Sequence, residues 1–186
     1  MKRFGILTLT LSLLVFVAML VGCAGSETVS LFPDKNLEAA VRDALDKQAG
    51  EEITVAELAN LTTLSAESSD ITDLSGIEYC INLNELDLFN NNISDISPLY
   101  SLTSLTVLKI NMNRISDISA LSSLTNLSWL NLNDNLINNI LPLVKNSGLG
   151  AGDRVFISGN NLVIEEHTEI WQYIEALEDR GVMVYY

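Results

Sequence analysis

The sequence predicts one α/β solenoid domain in which short parallel strands stack side by side, and three observations carry that reading. Apolar residues recur every 22 positions, an asparagine recurs at one phase of that period, and segments with helical spacing flank the repeats on both sides. The blocks begin at Leu58, Cys80, Leu102 and Leu124, and the third is the fullest, with Leu102, Leu105, Leu108, Ile110, Asn113, Ile115, Ile118 and Leu121. The fourth repeats it as Leu124, Leu127, Leu130, Leu132, Asn135, Ile137, Ile140 and Leu143. The second places Cys80 at the leucine position and then runs Leu83, Leu86, Leu88, Asn91, Ile93, Ile96 and Leu99. The first is degenerate, with Ala66 and Ser69 where Leu and Asn stand later, as terminal repeats often are because they cap the stack.

In each copy a short strand, such as Glu85 to Phe89, alternates inward leucines with outward side chains, so stacking the copies builds a parallel sheet. Asn91, Asn113 and Asn135 fall where the chain turns off the strand, and an amide with donors and an acceptor can satisfy the buried backbone there. Pro98 and Pro142 share a slot with Gly76 and Ala120 that needs no amide hydrogen bond, which places it in a convex turn or short 3-10 segment. Cys80 is expected to be a buried core thiol.

The pattern L-x-x-L-x-L-x-x-N-x-I, over about Leu58 to Leu162, resembles the leucine-rich repeat, and its 22-residue period with Ile-Ser-Asp-Ile-Ser resembles the bacterial internalin-like subclass. That resemblance implies a leucine-rich-repeat solenoid with its strands on a concave face, and protein binding as its function.

The flanks read as caps. Pro33-Asp34 followed by Leu37, Ala40, Val41, Ala44 and Leu45 has helical spacing with Asp34 as N-cap, and Ile53 to Leu58 leads into the first coil. The arrangement is similar to the helical N-cap of internalin-like proteins. After the fourth block, Val155, Ile157 and Asn160 match Leu130, Leu132 and Asn135 at a spacing of 25. The loop Gly148-Leu149-Gly150-Ala151-Gly152-Asp153 absorbs the extra residues, and glycine's tolerance of positive φ suits such a detour. Glu165 to Asp179 is expected to be a helix ended by Gly181, and Val182 to Tyr186 a last strand, together a C-terminal helix–strand cap.

Ahead of the domain, Lys2 and Arg3 precede an apolar run from Ile6 to Val21, and Leu20-Val21-Gly22-Cys23 resembles a lipoprotein signal. In that reading small Gly22 fits the signal peptidase and the Cys23 thiol carries the lipid. The run of about 16 residues falls short of the roughly 20 that a spanning helix needs, which weighs against a permanent transmembrane anchor. The expected organisation is therefore a signal peptide (1–22), a lipidated tether (23–30), an N-terminal helical cap (31–57), four 22-residue repeats (58–145), and a degenerate last repeat with the C-terminal cap (146–186). The protein is expected to be secreted across the cytoplasmic membrane and lipid-anchored at the cell membrane or envelope surface.

The chain has 10 Lys and Arg against 24 Asp and Glu, a net charge of -14. Loss of the leader with Lys2 and Arg3 would take this to -16, a field that opposes nucleic acid and anionic lipid surfaces. With Cys23 assigned to lipid, Cys80 has no partner for an internal disulfide. The single histidine, His167, reads as a solvated helix start. The sequence has no His-Glu-x-x-His, phosphate-cradling glycine loop or nucleophile elbow, and Asp70, Asp73, Asp95 and Asp117 recur as turn residues. Neither catalysis, nor a metal, nor a cofactor is expected.

Outward strand positions form three columns: Thr63, Glu85, Val107, Trp129, Arg154; Ser65, Asp87, Lys109, Asn131, Phe156; and Glu67, Phe89, Asn111, Asn133, Ser158. The face grades from acidic (Glu67, Glu85, Asp87) to basic (Lys109, Arg154), with aromatics among polar neighbours. The residues expected to bind a partner are Glu85, Asp87, Phe89, Lys109, Asn111, Trp129, Asn131 and Asn133, since exposed aromatics serve no purpose in folding a solvated sheet. The alternative for Phe156 and Trp129 is packing beneath the C-terminal helix. Five strands spaced by about 4.8 Å make a face only about 19 Å long, which suits a peptide, a loop, or a weak contact strengthened by membrane clustering. A second reading of the same face is glycan binding, with Trp129 and Phe89 stacking on sugars.

Overall fold

The computed structural model describes residues 31–186; the leader, Cys23 and the tether lie outside them. Six strands form one parallel sheet in chain order: β1 (Thr63–Ser65), β2 (Glu85–Asp87), β3 (Val107–Lys109), β4 (Trp129–Asn131), β5 (Arg154–Phe156) and β6 (Met183–Tyr185). The register aligns Thr63, Glu85, Val107 and Trp129, as the 22-residue spacing requires, and continues to Arg154 across the 25-residue step of the insertion. The middle residue of each of the first five strands, Leu64, Leu86, Leu108, Leu130 and Val155, points into the core and is buried. No single coil can cover its own leucines, so the fold is stable only as a stack.

The asparagine ladder follows from the same repetition. Asn113 donates through Nδ2 to the carbonyls of Leu88 (3.0 Å) and Ile110 (3.1 Å), while its Oδ1 accepts from the Ile93 amide at 3.0 Å. Asn91, Asn135 and Asn160 make the equivalent bonds in their own coils, and Asn91 also accepts from the Ser69 amide, which serves the degenerate first coil. Each amide therefore ties two coils together. Asn113→Ala should cost about 1–3 kcal/mol by orphaning buried backbone groups; a denaturation midpoint equal to wild type would contradict the ladder's role.

On the convex side, 3-10 segments run Ile77–Tyr79, Ser97–Ser101 and Ser119–Ser123, with Pro98 inside the second. Pro142 sits instead in a short α-helix, α3 (Leu141–Lys145), because the fourth coil is the one that lengthens. Cys80 is fully buried, and burial, reinforced by Glu78, pushes its thiol up to about 12, so it is a protonated filler of the core.

The N-terminal cap is a helix, α1 (Lys35–Ala44), whose Leu37 and Val41 close the core beside Phe32. Ahead of the first coil the lead-in is a further short helix, α2 (Val55–Leu58), set by a capping box between Thr54 and Glu57. Asp34 does two jobs with one carboxylate. Its Oδ1 accepts from the amides of Asn36 and Leu37, capping α1, while Oδ2 accepts from the Thr72 amide (2.8 Å), the Thr72 hydroxyl (3.0 Å) and the Asp73 amide (3.2 Å) in the first coil. Partial burial opposes the charge, yet these hydrogen bonds together outweigh it and hold the carboxyl below its ordinary pKa. A depressed folded pKa means the stabilisation is present above the unfolded value and lost as pH falls through the folded one. Asp34→Ala should therefore cost about 2 kcal/mol at neutral pH, with the gap to wild type narrowing below about pH 4. Urea midpoints across that range check it; a gap independent of pH would contradict the clip.

At the C-terminal end the structure corrects the sequence reading in two places. The helix α4 (Glu169–Glu178) starts four residues later than expected, because Thr168 is its N-cap and accepts from the Trp171 amide, leaving 165–168 as a turn. His167 in that turn is solvated, as expected. The last strand does more than cap, since β6 pairs in parallel with β5 and makes the face six strands wide, about 24 Å at about 4.8 Å per step.

The inserted loop is organised by residues the sequence reading passed over. Asn146, fully buried, donates to the carbonyls of Leu121 (2.8 Å) and Leu124 (3.0 Å) and accepts from the amides of Gly148 (2.9 Å) and Leu149 (3.3 Å). Arg180, just past α4, donates to the carbonyls of Val144, Asn146 and Leu149, fastening α4 to the same loop. Gly152 does have positive φ, whereas Gly148 does not: it is glycine because a Cβ there would lie 1.8 Å from the Thr125 carbonyl oxygen.

Candidate functional site

The outward columns expose the candidate site along the concave face. At its N-terminal half, Lys109 reaches back across β2 and places Nζ 2.9 Å from Asp87 and 3.4 Å from Glu85. The Asp87 hydrogen bond, with the neighbouring charge, raises the Lys109 pKa and keeps it a cation. Asp87 is itself buried, and its second role is to accept from the Phe89 amide at 3.1 Å. The expected acidic-to-basic gradient is corrected here: Lys109 is spent on two carboxylates, and this trio carries a net negative charge.

Asn131 of the second column accepts from the amide of Asn133 in the third, and Asn133 accepts from the Ser158 amide, so both side chains brace the strand exits. Asn111 is half-buried between Phe89 and Asn133 in the same column. Phe89 is half-buried two strands from the other rings and makes no ring contact among the described residues.

The C-terminal half is aromatic. Trp129 lies 5.1 Å from Phe156, centroid to centroid and tilted by 41°, and Phe156 stacks on Tyr185 at 4.5 Å and 9°. The Arg154 guanidinium sits 5.3 Å from the Trp129 ring centroid, within cation–π reach. Trp129 thus contacts Phe156, and Phe156 contacts Tyr185 of β6, along the sheet, in place of the alternative packing beneath α4. Sequence reasoning missed Tyr185: the 29 positions from Phe156 to Tyr185 break the repeat, and only the strand pattern of the last residues signalled it.

Beside β1 an open groove of about 600 Å³ runs between α1 and the sheet, lined by Asn36, Ala40, Asp43, Ser65 and Glu67 among others. Ser65 and Glu67 belong to the outward columns, so the groove opens onto the concave face. Among the described residues, no cluster of three or more His, Cys, Asp or Glu side chains is arranged to hold a metal ion.

A strand, an asparagine turn and a convex return repeated along one axis define a leucine-rich-repeat solenoid. The family model for leucine-rich repeats (2 copies) matches residues 59–101. The chain is similar in structure to an internalin from Listeria monocytogenes, at 28% identity and TM-score 0.68, over 83% of this chain and 56% of that one. It is also similar to the functional domain of InlJ from the same organism, described as including a cysteine ladder, at 30% identity and TM-score 0.63 over 71% of this chain and 28% of that one. A leucine-rich-repeat protein of Leptospira interrogans shares the fold at 18% identity and TM-score 0.56, over 71% of this chain and 38% of that one. The chain thus spans little more than half of the first of these and less than a third of the second. No curated protein matches its sequence significantly. In its fold the protein is a leucine-rich-repeat solenoid, similar to these Listeria internalins.

Proposed function

We propose that the protein is an envelope-anchored binding module that holds a protein partner on its concave face and performs no catalysis. The observation that carries this is the aromatic row Trp129, Phe156 and Tyr185, three rings set on the outer surface of a sheet whose core lies on its other side. Rings there do nothing for the core, while aromatic anchors dominate interface energetics. The internalin-like fold supports protein interaction as the general role. Lipid attachment at Cys23 would hold the face at the membrane, where clustering strengthens a weak contact.

A glycan partner fits the geometry less well. Of the two rings that reading uses, Trp129 already carries Arg154 over its ring and leans on Phe156, which stacks in turn on Tyr185, so Phe89 alone is left free of ring and cation partners among the described residues. The test is a pull-down from solubilised envelope proteins, with wild type beside a Trp129→Ala, Tyr185→Ala double variant of equal melting temperature. Lys109 is left intact, since removing it would strand Asp87. Proteins retained by wild type and lost from the variant are expected; identical eluates would overturn the reading.

A further inference from the structure

We infer that the partner presents an extended segment carrying a lysine or arginine four to six residues from an apolar ring, laid along the solenoid axis across the strands. This rests on the concave-face reading and specifies its ligand. The two ends of the face differ in chemistry. At β4 to β6 the aromatic row offers apolar and ring contacts, and its one cation is already placed over Trp129. At β1 the groove against α1 is walled by small and polar side chains and flanked by the carboxylates of Asp43 and Glu67. Both are exposed, and among the described residues neither forms an ion pair. The adjacent Glu85, Asp87 and Lys109 trio adds a further net negative charge, so the whole N-terminal half complements a basic side chain.

The dimensions set the direction and the spacing. Strands of three residues make the face about 10 Å across, whereas six strands make it about 24 Å along the axis, so an extended chain fits only along the axis. From β1 to the Trp129–Phe156 pair is three to four strand steps, or about 14–19 Å. At about 3.3–3.6 Å per extended residue, that distance is spanned by four to six residues.

Selection of a displayed random-peptide library on the full-length protein, purified in a non-ionic detergent, tests this. A consensus with a basic residue four to six positions from a Phe, Tyr, Trp or Pro is expected, weakened at least about tenfold by Trp129→Ala. The Asp43→Asn, Glu67→Gln double variant should remove the preference for the basic residue while leaving that for the ring. A consensus without the basic residue, or at another spacing, that still depends on Trp129 would overturn this inference and leave the concave-face reading standing. Enrichment indifferent to Trp129, or no enrichment, would overturn both.

Discussion

Asn146→Ala is expected to destabilise the protein by about 3–5 kcal/mol, more than Asn113→Ala. The side chain has no exposure and bonds four backbone groups: the carbonyls of Leu121, in the third block, and Leu124, which opens the fourth, and the Gly148 and Leu149 amides ahead of it. Alanine would orphan all four, and each buried polar group left without a partner costs about 1–3 kcal/mol, reduced where water can enter. The effect should also be regional. Arg180 bonds the Asn146 carbonyl and its neighbours, so the loop carries the attachment of α4 as well. Trp171 on α4 and Trp129 on β4 lie on either side of the junction, and separated fluorescence transitions would show the C-terminal cap coming away first. A single transition with a loss below about 1 kcal/mol would contradict this account.

Gly148→Ala should be nearly as damaging, by about 3 kcal/mol or more, for a steric reason. The added methyl would lie 1.8 Å from the Thr125 carbonyl oxygen and 2.4 Å from its carbon, and backbone on both sides leaves nothing flexible to give way. Gly150→Ala is the control in the same loop, since its nearest neighbour to a new Cβ is 3.8 Å away, and it should be close to neutral. Equal midpoints for the two variants would show that close approach is not why residue 148 is glycine.

These two positions mark where the sequence stopped being legible. Between Leu58 and Leu143 the period alone placed every strand, every buried asparagine and the outward columns, because each coil is specified by its own residues and repeats its neighbour. At the insertion that logic lapses: Asn146 lies off the asparagine phase of the repeat, and Gly148, expected to be glycine for its tolerance of positive φ, is glycine because a Cβ would meet the Thr125 carbonyl. Tyr185 was hidden for the same reason, being brought beside Phe156 by α4 and not by the period.

The candidate site divides similarly. Which residues face outward could be read from alternation, but what they do to one another could not. Lys109 looked like the start of a basic region and proves to be the partner of Asp87 and Glu85; the step of 22 residues that aligns the columns also puts its ammonium within reach of the strand before. The Trp129–Phe156 diagonal depends on ring angles that no spacing encodes.

A photo-crosslinking amino acid placed at Asn131 on the concave face or at Tyr100 on the convex side, in cells that make the protein, reports directly where a partner sits. Irradiation should give discrete protein adducts from position 131 and none from position 100. Adducts from position 100 alone, or from neither, would contradict a protein partner on the concave face.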